Sequence, residues 1–140
     1  MPKKINSPCK KLTNREQQDL DLEIHFLEGV VRRDPAYVEA LQILGDNYTR
    51  RGDYNEGLKI DERLSRLRPD DAVVQYNLAC SYSLTRQIGP ALEALQAAVN
   101  LGYRDFKAMD KDPDLENARQ DARYKRIRAK IRGIQPKRLS

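Results

Sequence analysis

The chain contains one histidine and two cysteines, and their surroundings decide whether it could carry out catalysis. His25 lies beside the apolar residues Ile24 and Phe26, and no serine or cysteine set can be built around it. Cys9 and Cys80 belong to no CxxC motif or Cys/His cluster that would hold zinc, and no glycine-rich phosphate loop occurs. The sequence therefore predicts a protein that is not an enzyme and that holds no metal or cofactor.

Neighbouring acidic residues are the other arrangement that could support acid–base chemistry. The pairs Asp61-Glu62 and Asp70-Asp71 fall at predicted helix ends or on solvated faces. Acidic side chains in a first helical turn are favoured by the positive end of the helix dipole. We interpret these pairs as structural.

Basic residues concentrate at the two ends of the chain. Residues 1–15 carry five basic residues and no acid, and residues 119–140 carry nine basic residues against one acid, within a net charge of +5. Such ends attract acidic partners, nucleic acid or anionic lipid, although charge runs more often only solvate a surface. Tyr124 is the one aromatic residue of the C-terminal basic zone and is expected to be buried, so base stacking is poorly supported.

The elements that would position any of these side chains follow a repeat of 34 residues. Tyr48 is followed by Tyr82 at this interval, and Pro35 by Pro69. Other matched pairs are Leu44 and Leu78, Gly45 and Ala79, Leu58 and Leu92, and Leu64 and Ala98. A fixed period of this length is typical of proteins built from stacked repeats.

Each repeat contains two runs of apolar residues at helical spacing, separated by a break. The break is Gly52-Asp53 in the first repeat and Ile88-Gly89-Pro90 in the second, where Pro90 suits the first turn of a helix. Each repeat is therefore predicted to be a pair of antiparallel helices. One such pair cannot bury both of its apolar faces, so the pairs are expected to stack.

These residues resemble the tetratricopeptide repeat, in which a large apolar residue, Leu-Gly, an aromatic residue, Ala, an aromatic residue and Pro recur in order. The first repeat matches it with Leu41, Leu44, Gly45, Tyr48, Gly57 and Pro69. The second matches it with Leu78, Ala79, Tyr82, Ala91, Leu95 and Ala98. Asp61 and Tyr103 depart from the pattern, because a large apolar residue and Pro are usual at their positions.

The resemblance implies an all-α solenoid of stacked antiparallel helix pairs, wound as a right-handed superhelix, with a C-terminal capping helix. In that family the first helices of successive repeats line a concave groove that binds a peptide. The positions that carry over include Glu39 and Arg50 in the first repeat and Val73 and Leu84 in the second. The groove residues predicted to contact a partner are Gln42, Asp46, Thr49, Tyr76, Cys80 and Ser83.

One subclass of the family holds a peptide carboxylate with Lys and Asn side chains. Asn77 stands at one of those positions, and Lys107 and Lys111 match two more if a third repeat keeps its register. Gln42 and Asp46 stand where Lys and Asn are needed, and Asp46 would repel a carboxylate. The sequence therefore disfavours this kind of site.

A single helical domain is predicted over residues 13–132. Its repeats lie near 38–71 and 72–105, with a half repeat before them and a degenerate capping unit after them. Thr13-Asn14-Arg15-Glu16 has the form of a capping box that starts a helix ending at Asp34-Pro35. The final helix, over about residues 120–132, offers Tyr124, Ile127 and Ile131 for packing. Residues 1–12 are predicted to be a disordered basic tail, and residues 133–140 a second basic tail.

The function predicted from the sequence is that of a non-catalytic adaptor or scaffold that binds a peptide segment or helix of another protein. The alternatives are a nucleic-acid-associated protein that binds through its basic ends, and a self-associating structural module. The identity of the partner and the oligomeric state stay open. No apolar run approaches membrane-spanning length, and the first twelve residues lack the apolar segment of a secretory signal, so a cytoplasmic location is predicted.

Overall fold

The computed structural model describes residues 11–134, which form helices and contain no strand. The helices of this part of the chain are α1 (Asn14–Arg33), α2 (Val38–Arg51), α3 (Tyr54–Leu67), α4 (Ala72–Leu84), α5 (Ile88–Asn100), α6 (Phe106–Lys111), α7 (Glu116–Arg119) and α8 (Ala122–Ile134), with a short 3-10 helix at Pro113–Leu115 between α6 and α7. The all-α class predicted from the sequence is confirmed.

Helix α1 begins at the predicted capping box. The Thr13 hydroxyl accepts the backbone N–H of Glu16 over 3.1 Å, and the Glu16 carboxylate accepts the backbone N–H of Thr13 over 3.2 Å. These two hydrogen bonds satisfy donors that the first helical turn leaves without an internal partner. The helix ends at Arg33, immediately before Asp34-Pro35, as the sequence predicted.

Short turns join α2 to α3, and α4 to α5. Gly52 ends α2 with a φ of +90°, a conformation that glycine adopts without the steric cost of a side chain. Consecutive helices from α1 to α5 pack against one another in chain order. This order of packing places α2 against both α1 and α3, and α4 against both α3 and α5.

Two glycines allow α2 and α3 to approach closely. A Cβ atom at Gly45 would lie 3.2 Å from Ile60 Cγ2, and one at Gly57 would lie 3.2 Å from Thr49 Oγ1. Both distances are tighter than ordinary van der Waals contact, so larger residues would push the helices apart. The Gly45 position is the one that the repeat pattern fills with a small residue.

The buried apolar residues form two clusters. One joins α1, α2 and α3 and includes Ile24, Leu44 and Leu64. The other joins α4 and α5 to the C-terminal helices and includes Leu95 and Met109. Asp61, which departs from the repeat pattern, is 2% exposed, and the Ser81 hydroxyl donates a hydrogen bond to its carboxylate. Asp61 and Ser81 therefore form a buried polar contact between α3 and α4.

Helix α8 packs as the sequence predicted for a C-terminal helix. Tyr124, Ile127 and Ile131 are 6%, 8% and 1% exposed and belong to the second cluster, which they share with residues of α4 and α5. Most of the predicted tail at residues 1–12, including Cys9, lies outside the described residues, and so do residues 135–140 of the second tail.

Candidate functional site

Four of the six side chains predicted to line an open groove are buried. Tyr76, Cys80 and Ser83 on α4 are each 0% exposed, and Thr49 on α2 is 2% exposed. Thr49 packs beside Gly57 of α3, and its hydroxyl donates a hydrogen bond to the Gly45 carbonyl over 3.2 Å.

The α4 side chains are covered by the segment from α6 to α7, whose 3-10 helix and α7 pack against α4. The Tyr76 hydroxyl donates a hydrogen bond to Asp112 Oδ2 over 2.7 Å, and the Tyr76 ring stacks on that of Tyr103 with centroids 4.2 Å apart. Burial, together with the nearby Cys80 and Asp112, raises the pKa of Tyr76 far above its usual range. Tyr76 is therefore a neutral hydrogen-bond donor inside the protein.

Ser83 holds the far end of the same segment. Its hydroxyl accepts the backbone N–H of Ala118 over 3.1 Å, and its carbonyl accepts the Asn117 side-chain amide over 3.0 Å. Arg119 closes the segment on itself by donating to the carbonyls of Met109, over 3.1 Å, and Asp112, over 2.6 Å. A stretch that is only partly helical is thus fixed on α4 at both ends.

Cys80, Asp112 and Asp114 lie together beneath this segment. All three are buried, and one donor atom of each lies within 4.8 Å of the others. Cys80 Sγ is 3.8 Å from Asp112 Oδ2, the same oxygen that accepts the Tyr76 hydroxyl. Asp112 also caps the turn that follows it, because its Oδ1 accepts the backbone N–H of Asp114 over 3.0 Å. Cys80, Asp112 and Asp114 therefore take part in the contact between α4 and the segment.

The prediction of an open groove therefore needs correction for Thr49, Tyr76, Cys80 and Ser83. On α4 the chain covers the predicted face with its own residues, among them Asp112, Asn117 and Ala118. Sequence reasoning missed this because the 34-residue register decays after residue 105. The pattern Asp112-Pro113-Asp114 was the available signal, since such a sequence stops a helix and favours a capped turn.

Among the described residues, the equivalent face of the first repeat is less buried. The remaining predicted residues, Gln42 and Asp46, are half-buried on α2. Ile43 lies between them and is 47% exposed, and Glu39 and Arg50 continue the same side of the helix at spacings of three or four residues. We call Glu39, Ile43, Asp46 and Arg50 the α2 stripe. Sequence reasoning missed Ile43, although an isoleucine among polar residues on the predicted groove side was a usable signal.

In the described part of the chain, no set of catalytic side chains surrounds the one histidine. His25 is exposed on α1 and lines a cleft with Phe26, Gly29 and Tyr37. That cleft lies on a different helix from the Cys80 cluster. The prediction that the protein is not an enzyme stays a prediction.

Several basic residues of α8 are exposed. Lys125, Arg126 and Lys130 are exposed, whereas Arg128 donates to Asp110 Oδ1 over 2.9 Å. Burial opposes ionisation of Asp110, but hydrogen bonds from Tyr124 and Arg128 lower its pKa overall. Tyr124 is buried, as expected, and is therefore not available to stack on a base.

Among the helices of residues 11–134, none has the length and apolar character needed to cross a bilayer.

No protein-family model matches the chain. A search of curated proteins finds similarity to a protein of Arabidopsis thaliana whose name describes it as chloroplastic, with 40% identity over 79 residues. The match covers 54% of this chain and 24% of the relative, so the chain corresponds to only about a quarter of that protein's length. The cytoplasmic location predicted from the sequence is contradicted by this finding, because the relative is a chloroplastic protein.

Proposed function

We propose that the described helices form a right-handed solenoid of the tetratricopeptide kind and that the protein is a non-catalytic module that binds another protein. The 34-residue register supports the repeat, and the packing of α1 to α5 in chain order supports a stack of helix pairs. We further propose a chloroplast location, because the name of the matched relative states that location.

The proposed binding face is the α2 stripe. The observation that carries this proposal lies on α4, where the equivalent face is occupied by a short segment of the chain itself. Tyr76, 34 residues after Gln42, and Cys80, 34 residues after Asp46, both meet Asp112. Within this chain, the first helix of the second repeat therefore binds a partly helical segment on this face. Within residues 11–134, the helices that pack against α2 are α1 and α3.

The side chains of the stripe define the chemistry of the segment that would fit. Ile43 offers an apolar contact at its centre, and an exposed aliphatic side chain gains free energy when a partner covers it. Glu39 and Asp46 flank it with negative charge, and Arg50 lies at the C-terminal end of the stripe. We therefore propose a partner segment with one apolar side chain followed or preceded by a basic one. An acidic segment like the one on α4 would be repelled.

The test is affinity capture from a chloroplast extract with the intact chain, the Ile43→Asp variant and a control variant, Phe26→Asp, on a different helix. Ile43 is 47% exposed and Phe26 is 68% exposed, so neither change should disturb the core. We expect Ile43→Asp to lose the captured proteins and Phe26→Asp to keep them, with or without nuclease treatment. Equal capture by all three chains would contradict the proposal.

A second candidate function is nucleic-acid binding through α8. The observation that favours it is that this helix contains six basic residues and no acidic one, several of them exposed. A protein of this kind would bind phosphates without reading bases, because the basic surface lacks an exposed aromatic side chain in the described residues. Loss of the captured material after nuclease treatment would favour this candidate over the first.

A further inference from the structure

Helix α1 carries exposed apolar side chains in addition to its buried residues Leu20, Ile24, Leu27 and Val31. Leu22 is 71% exposed and Phe26 is 68% exposed, and they stand four residues apart on the helix. Phe26 also borders a cleft of about 590 Å³ whose lining includes Gly29, Val30 and Tyr37. Large apolar side chains at helical spacing beside a cleft mark a surface that another element covers.

The internal repeat indicates which element covers such a face. Ile60 and Ala94 stand 34 and 68 residues after Phe26, and both are 7% exposed. Ile60 is buried against Gly45 of α2, the antiparallel first helix of its own repeat. Leu64 and Ala98, at the same intervals after Val30, are 3% and 0% exposed. Within residues 11–134, α1 has no antiparallel first helix of this kind to cover its face.

The charges on this face favour a second copy of α1 as the covering helix. Asp19 and Arg33 are exposed and stand seven residues before and seven residues after Phe26, which places them on the same side of the helix as Phe26. If two copies cross antiparallel at Phe26, Asp19 of each copy meets Arg33 of the other. Leu22 and Val30, each four residues from Phe26, also meet across the pair. Because Gly29 has no side chain, it leaves room beside Val30 for the Phe26 ring of the other copy.

We propose that the protein forms a two-fold symmetric homodimer through antiparallel packing of α1 on α1. The apolar contacts of Leu22, Phe26 and Val30 form its centre, and two equivalent Asp19–Arg33 pairs fix its register and direction. Each copy then covers the α1 face of the other, as a first helix covers its partner within a repeat. An isologous contact of this kind closes at two copies and leaves the α2 stripe outside the interface.

The oligomeric state of the full chain tests the proposal by sedimentation velocity over a range of protein concentrations. We expect a monomer–dimer equilibrium for the natural chain and for Ile43→Asp, which alters an exposed apolar residue on α2. We expect Phe26→Asp to raise the dissociation constant at least about tenfold while circular dichroism stays unchanged. A monomer at every concentration overturns the proposal, and so does a dimer that Ile43→Asp weakens as much as Phe26→Asp does.

A charge exchange tests the antiparallel register independently. Arg33→Asp alone places like charges opposite each other twice and should weaken the dimer, and raised salt should reduce that effect. Adding Asp19→Arg to the same chain restores opposite charges across the interface and should recover the dimer. If the double variant is no tighter than Arg33→Asp alone, the register is wrong. Because Phe26→Asp and Ile43→Asp separate the two faces, failure of this proposal leaves the proposed function untouched.

Discussion

Tyr76 and Asp112, 36 residues apart in the chain, are joined by a buried hydrogen bond of 2.7 Å from the Tyr76 hydroxyl to Asp112 Oδ2. This bond links α4 to the turn between α6 and the 3-10 helix. Together with the Ser83 hydrogen bonds to Asn117 and Ala118, it holds the C-terminal segment on the face of α4 that carries Tyr76.

Removing the Tyr76 hydroxyl should destabilise the fold without affecting partner binding. In Tyr76→Phe the buried Asp112 carboxylate loses this donor, and such a loss costs about 1–3 kcal/mol of unfolding free energy. Urea denaturation measures the change, and Tyr37→Phe serves as the control because Tyr37 is 45% exposed. If the two variants were equally stable, the segment would not depend on this bond.

Alkaline pH should destabilise the protein. Burial raises the pKa of Tyr103 from 10.0 to about 12 and raises that of Tyr76 as well. The unfolded chain therefore loses phenolic protons above about pH 10 that the folded chain keeps. The stability that these groups contribute is fully present below pH 10 and is lost as the pH rises through 12. Urea midpoints at about pH 8 and about pH 11 should show this fall, and Tyr103→Phe should make it smaller.

Overpacking at Ala91 should test the close contact between helices. Ala91 is 0% exposed on α5, within the second cluster of buried residues. Ala91→Phe adds a ring where no space exists and should cost about 1–3 kcal/mol of unfolding free energy. Ala129→Phe, at an exposed position of α8, is the matched control. Thermal unfolding should show a lower midpoint for Ala91→Phe alone, and unchanged midpoints for both variants would mean that the helix contact is wrong.

Charge reversal on α8 should distinguish the nucleic-acid alternative. Lys125, Arg126 and Lys130 are exposed, so Arg126→Glu with Lys130→Glu removes phosphate contacts without breaking the Arg128–Asp110 pair. We expect the natural chain to bind nucleic acid weakly and to release it near physiological salt, as non-specific phosphate contacts do. Sequence-dependent binding that survives this salt and disappears in the double variant would promote the alternative.

Positions related by the repeat show most clearly how much of the structure can be predicted from the sequence. The Thr-x-x-Glu motif predicted the capping box at Thr13, and the helical spacing of apolar residues predicted the packing of Tyr124, Ile127 and Ile131. The period placed Gln42 and Tyr76 on the same side of their helices. It could not predict that Tyr76 is fully buried whereas Gln42 is only half-buried. That difference depends on residues 106–119, where Pro113 interrupts the helix and the register ends, so their position on α4 follows from tertiary contacts alone.

Ile43 shows the same limit of sequence-based prediction, here at a position that is exposed and not buried. Repeat matching treats it as the counterpart of Asn77, which is 7% exposed, yet Ile43 is 47% exposed. The exposure of a side chain depends on which elements cover its helix, and local periodicity does not report this. The prediction of a cytoplasmic location was contradicted for a related reason. The absence of a secretory signal does not distinguish the cytoplasm from an organelle.

Site-specific photo-crosslinking in chloroplast extract tests the central claim, binding of a protein at the α2 stripe, most directly. A photoreactive phenylalanine derivative placed at Glu39, on the stripe, should form crosslinks to a partner protein that Ile43→Asp abolishes. The same group at Lys59, exposed on α3, should form none above background. Crosslinks from Lys59 without any from Glu39, or crosslinks from Glu39 that persist in Ile43→Asp, would contradict the account.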